Sequence, residues 1–494
     1  MPGPTTWQPP KVRAAVPELR YAPAPESTAP GTIRDSYGLY IGGQWVSSAS
    51  ATSFATQNPA TEEKLAEVAY AEAADVDRAV RSARRGYEKY WRKLRPTERA
   101  KYVYRIARAL TERSREFAVL ETMDGGKPIR EARDFDVPQA SAHFFYHAGW
   151  ADKLAWAIPG AERARPLGVV GAIVPWNFPL LIATWKIAPA LACGNTIVLK
   201  PAETTPLTAL LLAQVCLEAE LPPGVVNVIT GDGRTGAALV EHPDVDKLSF
   251  TGSTEVGKAI RRATAGTSKR LSLELGGKSA FIVYDDAPLD QTIEGIVSGI
   301  YFNQGHVCCA GSRLLVQENV AADLVERLRA RIATLRHGDP LDKNTDIGAI
   351  NSKTQRDKIV ELVQSGVEEG AVLVQAKFTP PERGYWYPAS FFTRVQPTYR
   401  IAREEIFGPV LSVMTFRTPD EAIERANNLP YGLSAGVWTS SGALGMYTAQ
   451  RLQAGVVWCN TFNQFDPSSP FGGYKESGFG REGGLAGLRA YLET

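Results

Sequence analysis

The feature that most constrains the fold is an alternation of apolar, strand-like runs and helical patterns between Val169 and Gly277. Four apolar runs have the length and β-branched content of buried parallel strands, and they cover residues 169–174, 196–199, 225–229 and 248–250. The clearest helical pattern covers residues 206–220, with Thr205 as the predicted N-cap and Pro206 at the first helical position. This alternation predicts an α/β fold with a doubly wound sheet that binds ligands at the carboxyl ends of its strands.

Three further patterns flank this region. Residues 38–45 alternate apolar side chains around a Gly-Gly turn, which predicts a hairpin. Apolar residues three and four positions apart indicate helices over residues 71–134. A second α/β region is predicted over residues 279–477, with strands at 279–283 and 312–316 and helices at 321–335 and 352–369.

Composition excludes several classes of protein. The 494 residues carry 55 Lys+Arg against 53 Asp+Glu, so neither a nucleic-acid groove nor a membrane-binding patch is expected. The longest apolar run, residues 180–192, is interrupted by Lys186 and Pro189 and falls short of the roughly 18 residues of a membrane span. The five cysteines form no Cys-x-x-Cys pair and lack a His at metal-ligand spacing, and the chain shows no secretory signal. We therefore expect reduced thiols, no metal site and a cytoplasmic location.

The first 35 residues differ from the rest of the chain. They contain eight prolines between Pro2 and Pro30, mixed with Ala, Thr and Ser. Such a segment cannot hold a helix or bury much surface, which predicts a flexible or partly extended tail at residues 1–35.

Residues 302–313 contain the vicinal cysteines Cys308 and Cys309 beside glycines. A thiolate is a strong nucleophile at neutral pH, whereas a buried cysteine is only a small apolar side chain. From these residues alone, both interpretations are open.

Two polar residues follow or end predicted strands. Glu274 lies in an apolar run ahead of Gly-Gly, where lost solvation raises a carboxyl pKa and suits a general base, although a structural ion pair is the alternative. Asn177 lies between Pro175 and Pro179 and offers a fixed amide donor for an oxyanion, although it could equally be a turn residue.

Two further turns suit a dinucleotide. Gly252 and Ser253 lie between a strand and a helix, where backbone N–H groups can hold a pyrophosphate, but this is not the G-x-G-x-x-G pattern. Lys200 and Glu203 follow another strand, where a carboxylate accepts ribose hydroxyls and repels a 2′-phosphate. Each turn could also be an ordinary loop.

In their order, these motifs resemble those of the NAD(P)-dependent aldehyde dehydrogenase superfamily. The resemblance covers residues 37–492 and includes Glu-Glu-Ile-Phe-Gly-Pro-Val at 404–410 and Pro-Phe-Gly-Gly-Tyr-Lys-Glu-Ser-Gly at 470–478. It implies an aldehyde-dehydrogenase-like α/β fold with a reduced oligomerisation hairpin. The implied parts are a Rossmann-type NAD-binding domain at 36–147 and 166–276, a catalytic domain at 277–477, and reduced oligomerisation or bridging segments at 148–165 and 478–494.

The resemblance also implies roles for individual residues. Cys308 matches the nucleophile, Glu274 the base that activates water, and Asn177 the oxyanion donor, helped by the backbone N–H of Cys308. Lys186 matches a lysine near the site whose role is open. The implied contacts of NAD, preferred over NADP, are Val174, Pro175, Trp176, Lys200, Ala202, Glu203, Gly233, Phe250, Gly252, Ser253, Val256, Glu405 and Phe407. The implied substrate pocket is formed by Phe178, Trp185, Val307, Phe465 and Phe471, with Asn463 and Gln464 near its mouth.

The implied reaction oxidises a small-molecule aldehyde to a carboxylic acid. The Cys308 thiolate attacks the aldehyde, hydride passes to NAD, and water activated by Glu274 hydrolyses the resulting thioester. The presence of Glu274 favours hydrolysis over transfer of the acyl group to coenzyme A. Two alternatives are open: a catalytically silent dehydrogenase fold that acts as a binding partner, and a thiol esterase that uses Cys308 without a cofactor.

Three features depart from the usual family pattern or qualify it. His306 stands where Gln or Glu is usual, and it either alters thiolate basicity and nicotinamide contacts or is a tolerated substitution. The short segments 148–165 and 478–494 predict a homodimer formed by helix packing rather than a tetramer. The Pro-rich tail and residues 121–128 and 143–152 also resemble the first module of the two-module sixteenth family of aldehyde dehydrogenases.

Overall fold

A computed structural model describes the protein over residues 22–160 and 162–493. Its N-terminal part contains strands β1 (Ser36–Tyr37), β2 (Leu39–Ile41), β3 (Gln44–Val46), β4 (Ser53–Gln57) and β5 (Lys64–Ala69), and helices α1 (Ala73–Lys89), α2 (Pro96–Glu112), α3 (Ser114–Gly125), α4 (Ile129–Glu131), α5 (Val137–Trp150) and α6 (Leu154–Ala157). The helical character predicted for residues 71–134 is therefore confirmed.

The next part carries the predicted alternation of strands and helices. It contains strands β6 (Arg165–Pro166), β7 (Val169–Ile173), β8 (Thr196–Lys200), β9 (Val226–Val228), β10 (Lys247–Thr251) and β11 (Arg270–Glu274), and helices α7 (Pro179–Ala192), α8 (Leu207–Glu218), α9 (Gly233–Glu241) and α10 (Thr254–Ala263). All four predicted strands are present, each within two residues of its predicted ends.

The C-terminal part is a second α/β region. Its strands are β12 (Ala280–Val283), β13 (Arg313–Gln317), β14 (Val372–Gln375), β15 (Ser390–Thr393), β16 (Val410–Phe416), β17 (Tyr431–Gly432), β18 (Ser434–Trp438), β19 (Val456–Cys459), β20 (Tyr474–Lys475), β21 (Gly478–Phe479) and β22 (Leu492–Glu493). Its helices are α11 (Leu289–Ile300), α12 (Ala321–Ile332), α13 (Lys353–Glu368), α14 (Arg400–Arg403), α15 (Pro419–Asn427), α16 (Gly442–Ala449) and α17 (Gly484–Arg489).

Two large sheets organise these elements. The first has the order β21-β11-β10-β7-β8-β9-β2-β3, in which β11, β10, β7, β8 and β9 are parallel. The second has the order β14-β15-β16-β13-β12-β18-β19 and is parallel except at β14. The predicted hairpin is confirmed as β2 and β3, which pair antiparallel at the edge of the first sheet. The carboxyl ends of β7, β8, β10 and β11 therefore share one edge, which is where the candidate ligand residues lie.

Helix α7 is the most buried helix near the site. Every one of its residues is buried, including Lys186. A helix that is apolar on all sides belongs in a protein interior, which explains the long apolar run in this part of the sequence. None of the helices in the described residues is long and apolar enough to span a membrane.

The start of helix α8 differs from the prediction. The helix begins at Leu207, so Pro206 is the N-cap and Thr205 lies outside the helix. The cap is supplied from another helix, because the Leu207 N–H donates to Asp124 Oδ2 at 2.9 Å. The predicted cap at Thr205 is wrong because a tertiary carboxylate replaces the local hydroxyl.

The predicted Pro-rich tail is described only from residue 22 onward, and residues 1–21 lie outside the described part. Residues 22–35 contact two parts of the body. The Glu26 N–H donates to Leu341 O at 2.8 Å, and the Lys343 N–H donates to Ala24 O at 3.1 Å. The carboxylate of Glu26 forms an ion pair with Arg115 on α3.

The predicted domain boundaries stay predictions, but the structure adds two contacts across them. Strands β6 and β22, of two residues each, pair antiparallel and so join the two predicted bridging segments. Strand β21 pairs antiparallel with β11 at the edge of the first sheet.

Candidate active site

Cys308 lies on a loop between α11 and β13 and is partly exposed, whereas its neighbour Cys309 is buried. The Cys309 Sγ lies 3.7 Å from Asn463 Oδ1 and donates to it. The neighbouring Cys309 thiol, followed by desolvation, raises the pKa of Cys308 well above its usual range. Cys308 is thus a neutral thiol until a base removes its proton.

Asn177 follows β7 and lies directly against the loop of Cys308. Its side-chain Nδ2 donates to the backbone oxygen of His306 at 2.7 Å, and the backbone oxygen of Asn177 accepts a 2.8 Å hydrogen bond from Asn303 Nδ2. An amide nitrogen has two N–H donors, so one remains for a ligand oxygen after the bond to His306. The structure therefore brings together Asn177 and the nucleophile loop, as predicted.

Glu274 is the last residue of β11 and is buried. Neither of its carboxylate oxygens has a hydrogen-bond partner within the described part of the chain. Burial, followed by the charge of Glu482, raises the pKa of Glu274 well above its usual range, and Cys308 also contributes. A buried carboxylate with unused oxygens and a raised pKa is a stronger base than an ordinary carboxylate.

Lys186, whose role the sequence left open, forms a buried ion pair beside Glu274. Its Nζ lies 2.9 Å from Glu482 Oε1 and donates to Ser249 Oγ at 3.1 Å. Lys186 lowers the pKa of Glu274, in opposition to Glu482. The pair therefore tunes the charge environment of the candidate base without bonding to it.

The loop after β11 brings Glu274, Cys308 and Glu405 into one site. Gly277 donates its N–H to Glu405 Oε1 at 3.0 Å. A side chain on Gly277 would place its Cβ 2.7 Å from Cys308 O, and one on Gly472 would place its Cβ 2.7 Å from Glu274 Oε1. These glycines are therefore required by the close packing around the site.

An apolar cavity adjoins Cys308. It is lined by Phe135, Phe178, Leu181, Ile182, Trp185, Phe302, Val307, Cys308, Cys309, Asn463, Phe465 and Phe471. All five predicted pocket residues line it. Gln464, which was predicted near the mouth, lines a neighbouring cavity beside His143 and Glu482.

Four lining residues were missed by sequence reasoning. Leu181 and Ile182 lie three and four positions after Phe178 on α7, so helical spacing could have found them. Phe302 is close in sequence to Gly305 and Cys308. Phe135 lies in a distant helical segment with no motif, and only the fold brings its ring to within 5.2 Å of the Phe302 ring.

The predicted cofactor residues collect at the carboxyl edge of the first sheet. Val174, Pro175 and Trp176 follow β7, and Ala202 and Glu203 follow β8, which ends at Lys200. Phe250 lies in β10, Gly252 and Ser253 connect it to α10, Val256 lies exposed in α10, and Gly233 begins α9.

Local geometry suits a nucleotide at this edge. Ser253 is the N-cap of α10, and its Oγ accepts the Val256 N–H at 3.3 Å, so the positive end of the helix faces the turn. Lys200 is buried, and its Nζ lies 3.5 Å from Glu203 Oε2. The Glu203 side chain is about half exposed, which leaves its carboxylate open to ribose hydroxyls.

Glu405 and Phe407 lie on the Cys308 side of this edge. Glu405 is partly buried, and desolvation by the surrounding protein raises its pKa to about 7. Phe407 has a left-handed backbone with φ 55°, and its ring packs against those of Trp176 and His306 with centroid separations of 5.3 and 5.8 Å.

His306, the departure from the family pattern, is buried in this aromatic cluster. Its ring centroid lies 4.8 Å from that of Trp176, and burial lowers the pKa of His306 to about 3. The ring is therefore neutral at physiological pH. Its effect on activity stays a prediction.

Across residues 22–160 and 162–493, no group of three His, Cys, Asp or Glu side chains could hold a metal ion.

Comparisons with known proteins identify the family. A model of the aldehyde dehydrogenase family matches residues 45–494. The human retinal dehydrogenase 2 is 45% identical over 468 residues, which cover 92% of this chain and 90% of that protein. The Bacillus subtilis protein DhaS, whose name assigns it provisionally to the aldehyde dehydrogenases, is 48% identical over 465 residues, covering 92% of this chain and 94% of DhaS.

Solved structures show the same fold. An aldehyde dehydrogenase from Bacillus cereus in complex with NAD+ has a TM-score of 0.92 at 41% identity, covering 95% of this chain and 98% of that chain. The Pseudomonas syringae indole-3-acetaldehyde dehydrogenase AldA, in complex with NAD+ and IAA, has a TM-score of 0.91 at 40% identity, covering 94% and 97%.

The predicted likeness to the first module of a two-module family is not supported. The chain covers 94% of DhaS and 90% of retinal dehydrogenase 2, whereas a first module would cover only part of a two-module protein.

Proposed function

The chain belongs to the aldehyde dehydrogenase family, and from that premise we propose that it oxidises aldehydes to carboxylic acids with NAD. One observation carries the proposal. The partly exposed thiol of Cys308 adjoins an apolar cavity, beside an amide donor and a buried carboxyl group with unused oxygens. This is the set of groups that covalent thiol catalysis followed by hydrolysis requires.

In this proposal Cys308 is the nucleophile. Its proton must leave before attack because its pKa is raised. The thiolate then adds to the aldehyde carbon and forms a thiohemiacetal. Cys309 is excluded from this role because it is buried and its thiol is directed to Asn463.

Asn177 and the Cys308 backbone N–H are the proposed donors to the oxygen that becomes negatively charged. The Asn177 amide is held by its bond to His306 O, and its second N–H is free for that oxygen. Fixed donors in a site without bulk water stabilise developing charge without reorganising.

NAD fits the residues at the carboxyl edge of the first sheet. Ser253 and the start of α10 would hold the pyrophosphate, Lys200 and Glu203 would hold the adenosine ribose, and Glu405 and Phe407 would lie on the nicotinamide side. When bound, NAD supplies the acceptor for the hydride that leaves the aldehyde carbon. The exposed carboxylate of Glu203 supports a preference for NAD over NADP.

Glu274 is the proposed base for the second half of the reaction. It would take a proton from a water molecule, which then attacks the Cys308 thioester and releases the carboxylic acid. The unused oxygens of Glu274 and its raised pKa support this role.

The cavity supports aliphatic or aromatic aldehydes of moderate size as substrates. Six aromatic rings and three aliphatic side chains dominate its lining, and Asn463 adds one amide. Two of the relatives are named for aldehydes with large apolar parts, retinal and indole-3-acetaldehyde, which fits an apolar cavity of this kind.

For assembly we propose a homodimer formed by helix packing. The two-residue strands β6 and β22 leave little sheet for a larger assembly. Sedimentation should give a dimer, and a dominant tetramer would contradict this.

We also propose a cytoplasmic location. Some relatives are named as mitochondrial. Fractionation of the source cells tests the proposed location.

The function is tested by following NADH absorbance with a panel of aldehydes. Wild type and Cys309→Ala should both produce NADH, whereas Cys308→Ala should produce none. NAD binding without turnover of any aldehyde would favour the silent binding partner. Ester hydrolysis by wild type without NADH formation from any aldehyde would favour the thiol esterase.

A further inference from the structure

The backbone just before Cys308 is held in an unusual conformation. Asn303, Gln304 and Gly305 have consecutive left-handed φ values of 48°, 51° and 73°. Non-glycine residues rarely adopt this region and keep it only where surrounding contacts fix it. The loop that carries the nucleophile therefore depends on external partners for its shape.

Asn303 forms hydrogen bonds through both its backbone N–H and its side-chain amide. Its N–H donates to Glu131 Oε2 at 2.8 Å, and its Nδ2 donates to Asn177 O at 2.8 Å. Asn303 and Glu131 are both buried, so neither bond is exchanged with bulk water. A continuous chain of hydrogen bonds thus runs from Glu131 through Asn303 to Asn177.

This chain of hydrogen bonds ends on the loop that carries Cys308. Asn177 Nδ2 donates to His306 O at 2.7 Å, and the His306 N–H donates to Asn303 O at 2.8 Å. Gln304 is fixed separately, because its Nε2 donates to Ala349 O at 3.1 Å. Of the partners that hold Asn303, only Glu131 comes from outside the predicted catalytic and cofactor motifs.

Glu131 is placed for this task by the fold. It ends helix α4 and faces the charged groups of Arg130, Lys127 and Asp136. Burial, opposed by Arg130 and by the Asn303 N–H, raises the pKa of Glu131 to about 8, so at neutral pH the group accepts this bond mainly as a protonated acid.

We propose that Glu131 is a positioning residue for the oxyanion site, acting through Asn303 on Asn177 and the loop of Cys308. The inference rests on the proposed function. Glu131 touches none of the groups assigned to the reaction, and its contribution is a single carbonyl-type acceptor that fixes the backbone of Asn303.

The chemistry of that acceptor defines a matched pair of variants. Gln presents a carbonyl oxygen at the same reach as a protonated Glu, whereas Met has a similar length and accepts only weakly. Glu131→Met should slow the pre-steady-state burst of NADH about tenfold. Glu131→Gln should keep the burst within about twofold of wild type. The KM for NAD should stay unchanged in both, because Glu131 lies away from the predicted nucleotide contacts.

A second variant guards against failure of Glu131→Met to fold. Asn303→Asp keeps the size of the side chain and its tolerance of a left-handed backbone but removes the donor to Asn177 O. It should also slow the burst about tenfold at unchanged KM for NAD. The double variant Glu131→Met/Asn303→Asp should be no slower than either single variant, because the two substitutions break the same chain of hydrogen bonds.

Hydrogen–deuterium exchange of the peptide covering residues 302–309 tests the bond without relying on activity. Glu131→Met should speed its exchange, and Glu131→Gln should not. The inference is overturned if Glu131→Met keeps the wild-type burst, if Gln is as slow as Met, if Asn303→Asp keeps the wild-type burst, or if exchange is unchanged in Glu131→Met. A wild-type protein that forms no NADH from any aldehyde would instead sink the proposed function, while the exchange data would still decide the hydrogen bond.

Discussion

The side-chain amide of Asn177 donates a 2.7 Å hydrogen bond to the carbonyl oxygen of His306, two residues before Cys308. The bond joins the turn after β7 in the first sheet to the loop before β13 in the second. The predicted oxyanion donor and the predicted nucleophile are therefore parts of one frame. The bond helps to fix the distance between the amide of Asn177 and the loop of Cys308.

Replacing the candidate base should separate the two halves of the reaction. Glu274→Gln should keep a burst of NADH, provided that the thiol can lose its proton to water, and should slow steady turnover about 100-fold or more. The reason is that Gln cannot take a proton from the hydrolytic water. Stopped-flow absorbance of NADH measures the burst and the steady rate together. Loss of the burst itself would show that Glu274 acts before or at acylation rather than only in hydrolysis.

The pH dependence of the same step follows from the raised pKa of Glu274. A base works in its deprotonated form, so a raised pKa moves the gain in steady-state rate to higher pH. The wild-type rate should rise with pH at values above those at which an ordinary carboxyl group titrates, and Glu274→Gln should lose that rise. Glu482→Gln removes a charge that raises the pKa of Glu274, so it should move the rise to lower pH. An unmoved profile in Glu482→Gln would contradict this electrostatic account.

The candidate catalytic residues could be selected from the sequence because each lies in a short motif that matches the family pattern. Glu274 ends β11 and Asn177 follows β7, and parallel strands bring their carboxyl ends to one edge, whereas Cys308 lies on the loop between α11 and β13. The two large sheets were predictable for the same reason.

The parts that escaped prediction depend on tertiary contacts. Phe135 reaches the cavity only because its helical segment packs against the loop of Phe302. Glu131 holds Asn303 from 172 positions away, and Asp124 caps α8 from 83 positions away. No periodicity or spacing within the chain carries information about such partners.

The carboxylate of Glu203 should decide between the two dinucleotides. Glu203→Ser removes a negative charge that would repel a 2′-phosphate and should raise kcat/KM for NADP about tenfold, equivalent to roughly 1.4 kcal/mol. Steady-state kinetics with NAD and NADP measure the ratio. Glu112→Ser, an exposed position on α2, is the control and should leave the ratio unchanged. An unchanged ratio in Glu203→Ser would count against the ribose assignment.

The ring of Phe135 should limit the width of the aldehyde cavity. It contacts the rings of Phe302, Phe465 and Phe178 at centroid separations of 5.2, 5.9 and 6.5 Å. Phe135→Val should raise the KM for small aldehydes several-fold and lower it for bulkier ones, at a stability cost of about 1–3 kcal/mol. Phe145→Val is the matched control, because this ring on α5 is 40% exposed and does not line the cavity. A similar change in selectivity in both variants would remove Phe135 from the substrate site.

The buried carboxyl group of Glu131 should make the stability of the protein fall as pH rises. Its pKa is 4.5 as a reference for the unfolded chain and about 8 in the folded protein, so the folded state binds the proton more tightly. Its contribution to stability is therefore fully present below pH 4.5 and is lost as the pH rises through about 8. The loss between the reference pKa and neutral pH is on the order of 3 kcal/mol. Glu131→Gln keeps the acceptor but cannot ionise, so its melting temperature should exceed that of wild type increasingly from pH 5 to pH 9. Glu112→Gln, at an exposed position, serves as the control. If the difference in melting temperature between Glu131→Gln and wild type does not grow with pH, burial of Glu131 does not control its ionisation.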